Sequence, residues 1–255
     1  MNFLLSLSSL MFSLFNSPVK PDLSLIAVDM HSHLLPGLDD GLKELDKSLS
    51  FIEELSNLGY RKLICTPHII SDMYPNNRET ILPKLDLVRK GVENRKIPIE
   101  IEAGAEYMVD LEMEKIVSDG TPLMTFGANL ILIEMSYIAP SPNMEKMIFD
   151  LRMKGLQPIL AHPERYSFYH NQFEKYERYI DLGCLMQVNL LSLLGYYGKP
   201  VKITAEKLVK NKMVDLVGTD MHHEAHLMAL HKLASKKEFY KTLDEINPKN
   251  KDLLL

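Results

Sequence analysis

Two histidines one residue apart, His31 and His33, follow the apolar run Leu25, Ile26, Ala27 and Val28 in the stretch DMHSHLLPGLDDG. In an extended backbone residues i and i+2 share a face, so both imidazoles can reach one atom, and neutral imidazole is the commonest protein ligand of transition metals. Asp29 lies two residues earlier on that face, where it is expected to orient one of the rings. The Pro/Gly turn that follows can fold two carboxylates, Asp39 and Asp40, back onto the histidines. Imidazole and carboxylate without thiolate favour Mn, Fe or Zn over soft-metal sites, without choosing among them.

The same residue types recur along the chain. His68 ends CTPH, Glu106 sits in GAEY, Glu134 in LIEMS, and His162, Glu164 and Arg165 in AHPERY. Asn189 ends QVN, and Asp220 and His222 lie in TDMHH. Each of these groups comes at the end of a short apolar run, and chance would scatter His and acidic residues over helix faces as well.

Seven such runs are expected as strands: Leu25–Met30, Lys62–Thr66, Ile97–Ala103, Asn129–Met135, Gln157–Ala161, Cys184–Asn189 and Met213–Thr219. They alternate with amphipathic stretches, the pattern of a parallel sheet with helical crossovers. The spacing predicts helices over Leu42–Leu58, with Leu45, Leu49, Ile52 and Leu55 on one face and Gly59 as the stop, and at about 78–94, 109–118, 143–154, 172–182 and 204–211. More helix is expected over 226–245. In barrels of parallel strands the βα loops converge at the C-terminal rim of the sheet, so ligand types at strand ends would meet there.

The chain has 255 residues, 46% of them apolar and 25% charged, which is ordinary for a folded α/β protein with an ample core. With 29 basic against 34 acidic side chains the net charge is −5, and there is no broad basic surface for a nucleic acid. The 15 methionines fall mostly within the predicted elements and read as core filler. Cys65 and Cys184 are isolated in apolar runs, as expected of buried free thiols in a reducing cytoplasm.

Residues 1–24 stand apart from the expected domain, 25–255. The first fifteen, MNFLLSLSSLMFSLF, lack the basic region and cleavage site of a secretory signal and are too short for a stable membrane span. A docked helix, an interfacial anchor and a start at Met11 are the competing readings, and residues 16–24 read as a linker.

Taken together, these motifs resemble the polymerase-and-histidinol-phosphatase (PHP) superfamily: an HxH, a lone His, a Glu, a later His and a DxH, in that order. Their wording is similar to the branch of bacterial manganese-dependent tyrosine phosphatases of capsule and exopolysaccharide operons, over roughly residues 25–225. The resemblance implies a distorted seven-stranded β/α barrel holding three divalent ions, manganese first, with iron, zinc or magnesium as alternatives. It implies one ion on His31, His33, Glu106 and Asp220. A second ion would sit on Glu106, Glu134 and His162, and a third on Asp40, His68 and His222. Arg165 matches the family arginine that binds phosphate. The implied substrate is phosphotyrosine on a protein, a membrane-associated bacterial tyrosine autokinase, and the oligomeric state is left open. One departure is visible: no arginine occurs from Glu224 to Leu230, where the family often has a second one, and His223 or His226 is the available substitute.

The implied chemistry is coherent. Four carboxylates against three dications leave an excess of about two positive charges, which suits a phosphate dianion. A hydroxide bridging two ions would be a nucleophile near neutral pH, since coordination lowers the pKa of water from about 15.7 to about 7. A tyrosine phenolate, pKa about 10, leaves readily, with His222, His223 or a coordinated water as proton donor. A cysteine phosphatase is set aside, because the residues six positions after Cys65 and Cys184 are Ser71 and Leu190 rather than arginine. GYYGK at Gly195–Lys199 lacks P-loop spacing and reads as a loop before a helix. The alternatives are a small-molecule phosphoesterase of the histidinol-phosphate type, using the same centre, and a metal-binding regulatory protein that has lost catalysis.

Overall fold

The computed structural model describes residues 19–254, so the readings of the first fifteen residues lie outside the described residues. Nine strands run in chain order: β1 Val28–Asp29, β2 Lys62–Cys65, β3 His68–Ile69, β4 Glu100–Ala103, β5 Glu106–Met108, β6 Leu130–Glu134, β7 Gln157–Ala161, β8 Leu185–Asn189 and β9 Leu216–Gly218. All strand pairs are parallel, in one sheet ordered β1-β2-β4 and another ordered β3-β5-β6-β7-β8-β9. The α/β class and the parallel sheet are as expected. The seven expected runs become nine strands in two sheets because two further short strands, β3 and β5, form just past the ends of the second and third runs. Pro67, which has no N–H to donate, separates β2 from β3, and Gly104–Ala105 separates β4 from β5. Backbone bonds still cross the gap, from Gly104 N–H to Cys65 O (2.9 Å) and from Glu106 N–H to Pro67 O (3.1 Å).

The helices are α1 Leu45–Asn57, α2 Arg78–Arg95, α3 Leu111–Asp119, α4 Met144–Met153, α5 Glu174–Asp181, α6 Leu190–Leu194, α7 Lys199–Lys210, α8 Glu224–Ala234 and α9 Lys237–Ile246. α1 buries Leu49, Ile52 and Leu55 on the face its spacing predicts, and Gly59 reverses the chain at a φ of 104°. α2 starts on a capping box in which Asn77 and Thr80 satisfy each other's backbone N–H groups. α7 begins five residues before its expected start, because Pro200 is tolerated in a first turn where its missing N–H is not needed. The five-residue α6 is too short to show a period and was not foreseen. Among the described residues no helix is long and apolar enough to cross a membrane.

Most of the core lies between strands and helices; a smaller inner cluster joins Val28, Met30, Ile64, Leu132, Ile159, Ala161 and Leu216 with Phe126 and Leu253. Of the stretch expected as linker, residues 19–24 lie against the domain: Leu23 is wholly buried and donates its N–H to Leu58 O.

Side chains join the first and last strands. Asp29 accepts from Thr219 N–H (2.9 Å) and Thr219 Oγ1 (2.5 Å). Asn250, fully buried in the last 3-10 turn, donates to Val28 O (2.9 Å) and Val217 O (2.7 Å) and accepts from Val217 N–H (3.0 Å). An unpartnered buried backbone group costs about 1–3 kcal/mol. Asn250→Ala is therefore expected to lower unfolding free energy by about 3 kcal/mol. A denaturant titration giving a loss under about 0.5 kcal/mol would refute this account of the seam.

Candidate metal centre

The strand ends deliver their polar side chains to one place. His31 and His33 follow β1, His68 opens β3, Glu106 opens β5 and Glu134 closes β6. His162 follows β7, Asp220 and His222 follow β9, and Asp40 reaches in from the loop after His33. Buried Glu106 is at the middle: its Oε2 is 3.1 Å from His31 Nε2, 3.1 Å from His68 Nδ1 and 3.4 Å from His33 Nε2, and its Oε1 is 3.0 Å from His162 Nε2. Glu134 Oε1 lies 2.8 Å from His68 Nδ1. Asp220 Oδ1 is 3.4 Å from both His31 Nε2 and His33 Nε2, while Asp40 Oδ1 lies 3.5 Å from His68 Nε2 and 3.4 Å from His222 Nε2.

All nine expected ligand residues therefore meet. Donor atoms mutually within 4.8 Å form four overlapping sets: His33, Asp40, His68 and His222; His31, His33 and Asp220; His31, Glu106 and His162; and His68, Glu106 and Glu134. The sets cut across the expected grouping at three points. His33 also stands with the Asp40 set, His31 also stands with Glu106 and His162, and Glu134 reaches Glu106 through His68 rather than His162.

Hydrogen bonds on the far side of the rings decide which nitrogen is free. His31 Nδ1 donates to Gln187 Oε1 (2.8 Å), and His33 Nδ1 donates to Asp39 Oδ2 (2.7 Å). Both Nε2 atoms point inward, 3.3 Å apart and within 3.4 Å of Glu106 Oε2 and Asp220 Oδ1; burial lowers both rings, but the surrounding carboxylates outweigh it and raise them above the usual imidazole range. His68 Nδ1, Glu106 Oε1, Glu134 Oε1 and His162 Nδ1 are buried and make no hydrogen bond, although three of them have a polar neighbour within 3.0 Å. Imidazoles and carboxylates packed this closely, with buried polar atoms left unpartnered, form a donor set that fits divalent metal, which would take the place of the ring protons.

The charges fall in line with this crowding. Burial alone would raise the Glu106 and Asp220 carboxyls, but the imidazoles around them, His31 foremost, hold both well below the usual range. Burial together with the Glu106 charge pushes Glu134 up to about 7. Burial pulls His68 down, yet Glu106 and Glu134 outweigh it and bring the ring up to about 9. His162, where burial prevails, drops to about 4.

Two residues of the cluster carry backbone strain: His162 (φ 34°) and Asp220 (φ 51°) are among the six non-glycine residues in the left-handed region within the described residues. Gly218 lets the chains close up, since a Cβ there would stand 2.7 Å from His31 Cβ and 2.9 Å from Gln187 Nε2.

The centre opens onto a cavity of about 250 Å³. Arg165, in the 3-10 turn after His162, lies on its wall and donates through Nη1 to Asp220 Oδ2 (2.7 Å); Tyr137, Tyr197, His223 and His226 complete the wall. Glu164 turns away, accepting from Ser192 Oγ (2.6 Å) and Asn189 N–H (2.9 Å). Asp29 orients no ring: its carboxylate is taken by Thr219 and by the His31 backbone N–H, because the strand ends at Asp29 and the chain turns its side chain toward β9. Orienting His33 falls to Asp39, and orienting His31 to Gln187. Gln187 escaped sequence reasoning, although it shares a face of β8 with Asn189, whose Nδ2 donates to Asp220 Oδ2 (2.8 Å).

A family model described as "Capsular polysaccharide synthesis, CpsB/CapC" matches residues 27–251. The tyrosine-protein phosphatase YwqE of Bacillus subtilis is 28% identical over 233 residues, 89% of this chain and 91% of the relative. The tyrosine-protein phosphatase CpsB of Streptococcus agalactiae is 30% identical over 202 residues, 77% of this chain and 83% of that protein. A solved structure described as YwqE from Bacillus subtilis and CpsB from Streptococcus pneumoniae, "unique metal-dependent tyrosine phosphatases", superposes with a TM-score of 0.73 at 25% identity, covering 86% of this chain and 92% of the other. A lactonase from Listeria monocytogenes, TM-score 0.51 at 14% identity over 92% of each chain, shares the fold alone.

Neither thiol takes part in the centre. Cys65 and Cys184 are buried, and burial pushes each up to about 12, so almost no thiolate is present near neutral pH. Iodoacetamide at pH 8 is expected to leave both unmodified in folded protein and to label both in denaturant. Labelling of either thiol in the folded protein, read by intact mass, would contradict this.

Proposed function

The chain belongs to the CpsB/CapC family of capsular polysaccharide synthesis, and from that premise we propose the reaction it performs. It is a metal-dependent tyrosine-protein phosphatase that hydrolyses phosphotyrosine on a protein. The observation that carries the metal part of this reading is the pair of inward Nε2 atoms of His31 and His33, 3.3 Å apart, with both Nδ1–H groups already committed to Gln187 and Asp39.

The proposed holders of three divalent ions, manganese in the first instance, are His31, His33, Asp40, His68, Glu106, Glu134, His162, Asp220 and His222. Divalent cations there supply Lewis acidity toward a phosphate dianion and make water a usable nucleophile near neutral pH. Arg165 spends one donor on Asp220, and its remaining N–H groups serve the phosphate oxygens. Asp39 and Gln187 keep the imidazole tautomers fixed while substrate comes and goes. The phenolate leaving group needs little acid assistance, and His222 and His223 stand on the cavity wall to supply its proton.

The proposed architecture is one distorted seven-stranded barrel, with β2 and β3 counted as one strand and β4 and β5 as another. Its support is the seam, where Asp220 N–H donates to His31 O (2.8 Å) and His33 N–H to Met221 O (3.0 Å). The proposed protein substrate is a tyrosine autokinase encoded with capsule or exopolysaccharide genes; a membrane-associated one would bring the enzyme to the membrane surface.

Protein stripped by a chelator should regain hydrolysis of a phosphotyrosyl peptide on addition of Mn²⁺, and His33→Ala should lose bound metal and activity together. Arg165→Ala should keep its metal yet lose roughly a hundredfold in kcat/KM. Wild-type protein inert toward the peptide at full metal occupancy would sink the reading, as would metal loss in the Arg165 variant. Since His68 is raised to about 9, it is protonated at pH 7 in metal-free protein and must give up its proton on loading. The heat of metal binding should therefore vary with the ionisation enthalpy of the buffer, and no variation would remove His68 from the set.

A further inference from the structure

The GYYGK turn, unassigned by its sequence, ends on the wall of the centre. Gly195 (φ 84°) closes α6 and Gly198 (φ 100°) opens α7, and between these two reversals the chain carries Tyr197 into the cavity that Arg165 lines. The ring centroid of Tyr197 lies 4.4 Å from Arg165 Cζ, and that of Tyr137, from the loop after β6, lies 4.6 Å from the same atom. Two phenol rings thus flank one guanidinium whose Nη1 is bound to Asp220.

We propose that Tyr197 is a positioning residue for phosphate binding: with Tyr137, its ring holds the Arg165 guanidinium in the orientation that receives the phosphate. An arginine side chain has several rotatable bonds, and the freedom lost on gripping a ligand weakens binding unless it is lost beforehand. The electron-rich ring faces restrain the guanidinium against rotation and attract its charge, and the bond to Asp220 fixes one edge. Arg165 is the one Lys or Arg among the residues lining the cavity, so its aim is shared with no second cationic side chain of that kind. The Tyr197 hydroxyl supports a role for the ring alone, since it is buried and makes no hydrogen bond. Tyr137 differs, its hydroxyl lying 3.3 Å from His162 Nε2, so the clean test is at Tyr197.

The inference rests on the reading of Arg165 as the phosphate-binding group. It is tested by calorimetric titration of inorganic phosphate into manganese-loaded protein, which needs no turnover. Tyr197→Leu should weaken phosphate about tenfold, with the same rise in KM for a phosphotyrosyl peptide and with metal content unchanged. Tyr197→Phe, which keeps the ring, should restore affinity to within about twofold. In an Arg165→Ala background Tyr197→Leu should cause no further loss, because the tyrosine acts through the arginine. Tyr197→Met, similar in length and without a ring, serves if the leucine variant does not fold.

Three results would overturn the proposal: a phenylalanine variant as weak as the leucine one, a leucine effect that persists without Arg165, or phosphate affinity indifferent to the ring. Absence of peptide hydrolysis by wild-type protein that still binds phosphate through Arg165 would strike the proposed function instead, and leave this inference standing.

Discussion

Everything in this protein answers to the burial of Glu106 among imidazoles. A carboxylate without solvent is tolerated only when positive charge or donors surround it, and here one carboxylate lies within 3.4 Å of ring nitrogens from His31, His33, His68 and His162. Those nitrogens arrive from three different strand ends, β1, β3 and β7, so both sheets must hold their register for the cluster to exist. In the proposed enzyme, divalent ions take the place of the ring protons, and the fold keeps apart groups that would otherwise collapse onto one another.

The rigidity comes from a chain of neutral and charged hydrogen bonds behind the rings. His31 leans on Gln187, Gln187 on Asn189, Asn189 on Asp220, and Asp220 on Arg165. Asp220 divides its work, one oxygen turned to the histidines and the other to Asn189 and Arg165, so the histidine cluster and the Arg165 wall of the cavity share one carboxylate. The left-handed backbone at Asp220 and at His162 is the local strain that this arrangement carries, and the surrounding bonds keep it in place. The same economy appears at the seam of the sheets, where Asp29, Thr219 and Asn250 satisfy backbone groups that a regular ladder would have paired.

Much of this was legible in the chain itself. The candidate residues declared themselves because all but Asp40 stand at or just past the end of an apolar run, and a parallel sheet gathers strand ends at one rim whatever the details of packing. Helix α1 was readable from its 3.6-residue spacing and its Gly59 stop, and α2 was expected at about 78–94, within a residue of where it ends. Less readable were the short strands β3 and β5 just past Pro67 and Gly104–Ala105, because two or three residues are too few to show a period and their pairing shows only when the neighbouring strand is in view.

What the sequence determined by itself is the kind of chemistry: which donors are present, in what order, and that they belong at strand ends, all consequences of side-chain type and of periodicity along one strand. The tertiary structure alone decided how those donors are held. That Asp39 rather than Asp29 orients His33, that Gln187 fixes His31, and that Tyr197 comes to lie on Arg165 are contacts between segments 6 to 156 residues apart. No local pattern encodes such contacts, because they depend on which faces the twisted sheet turns toward one another.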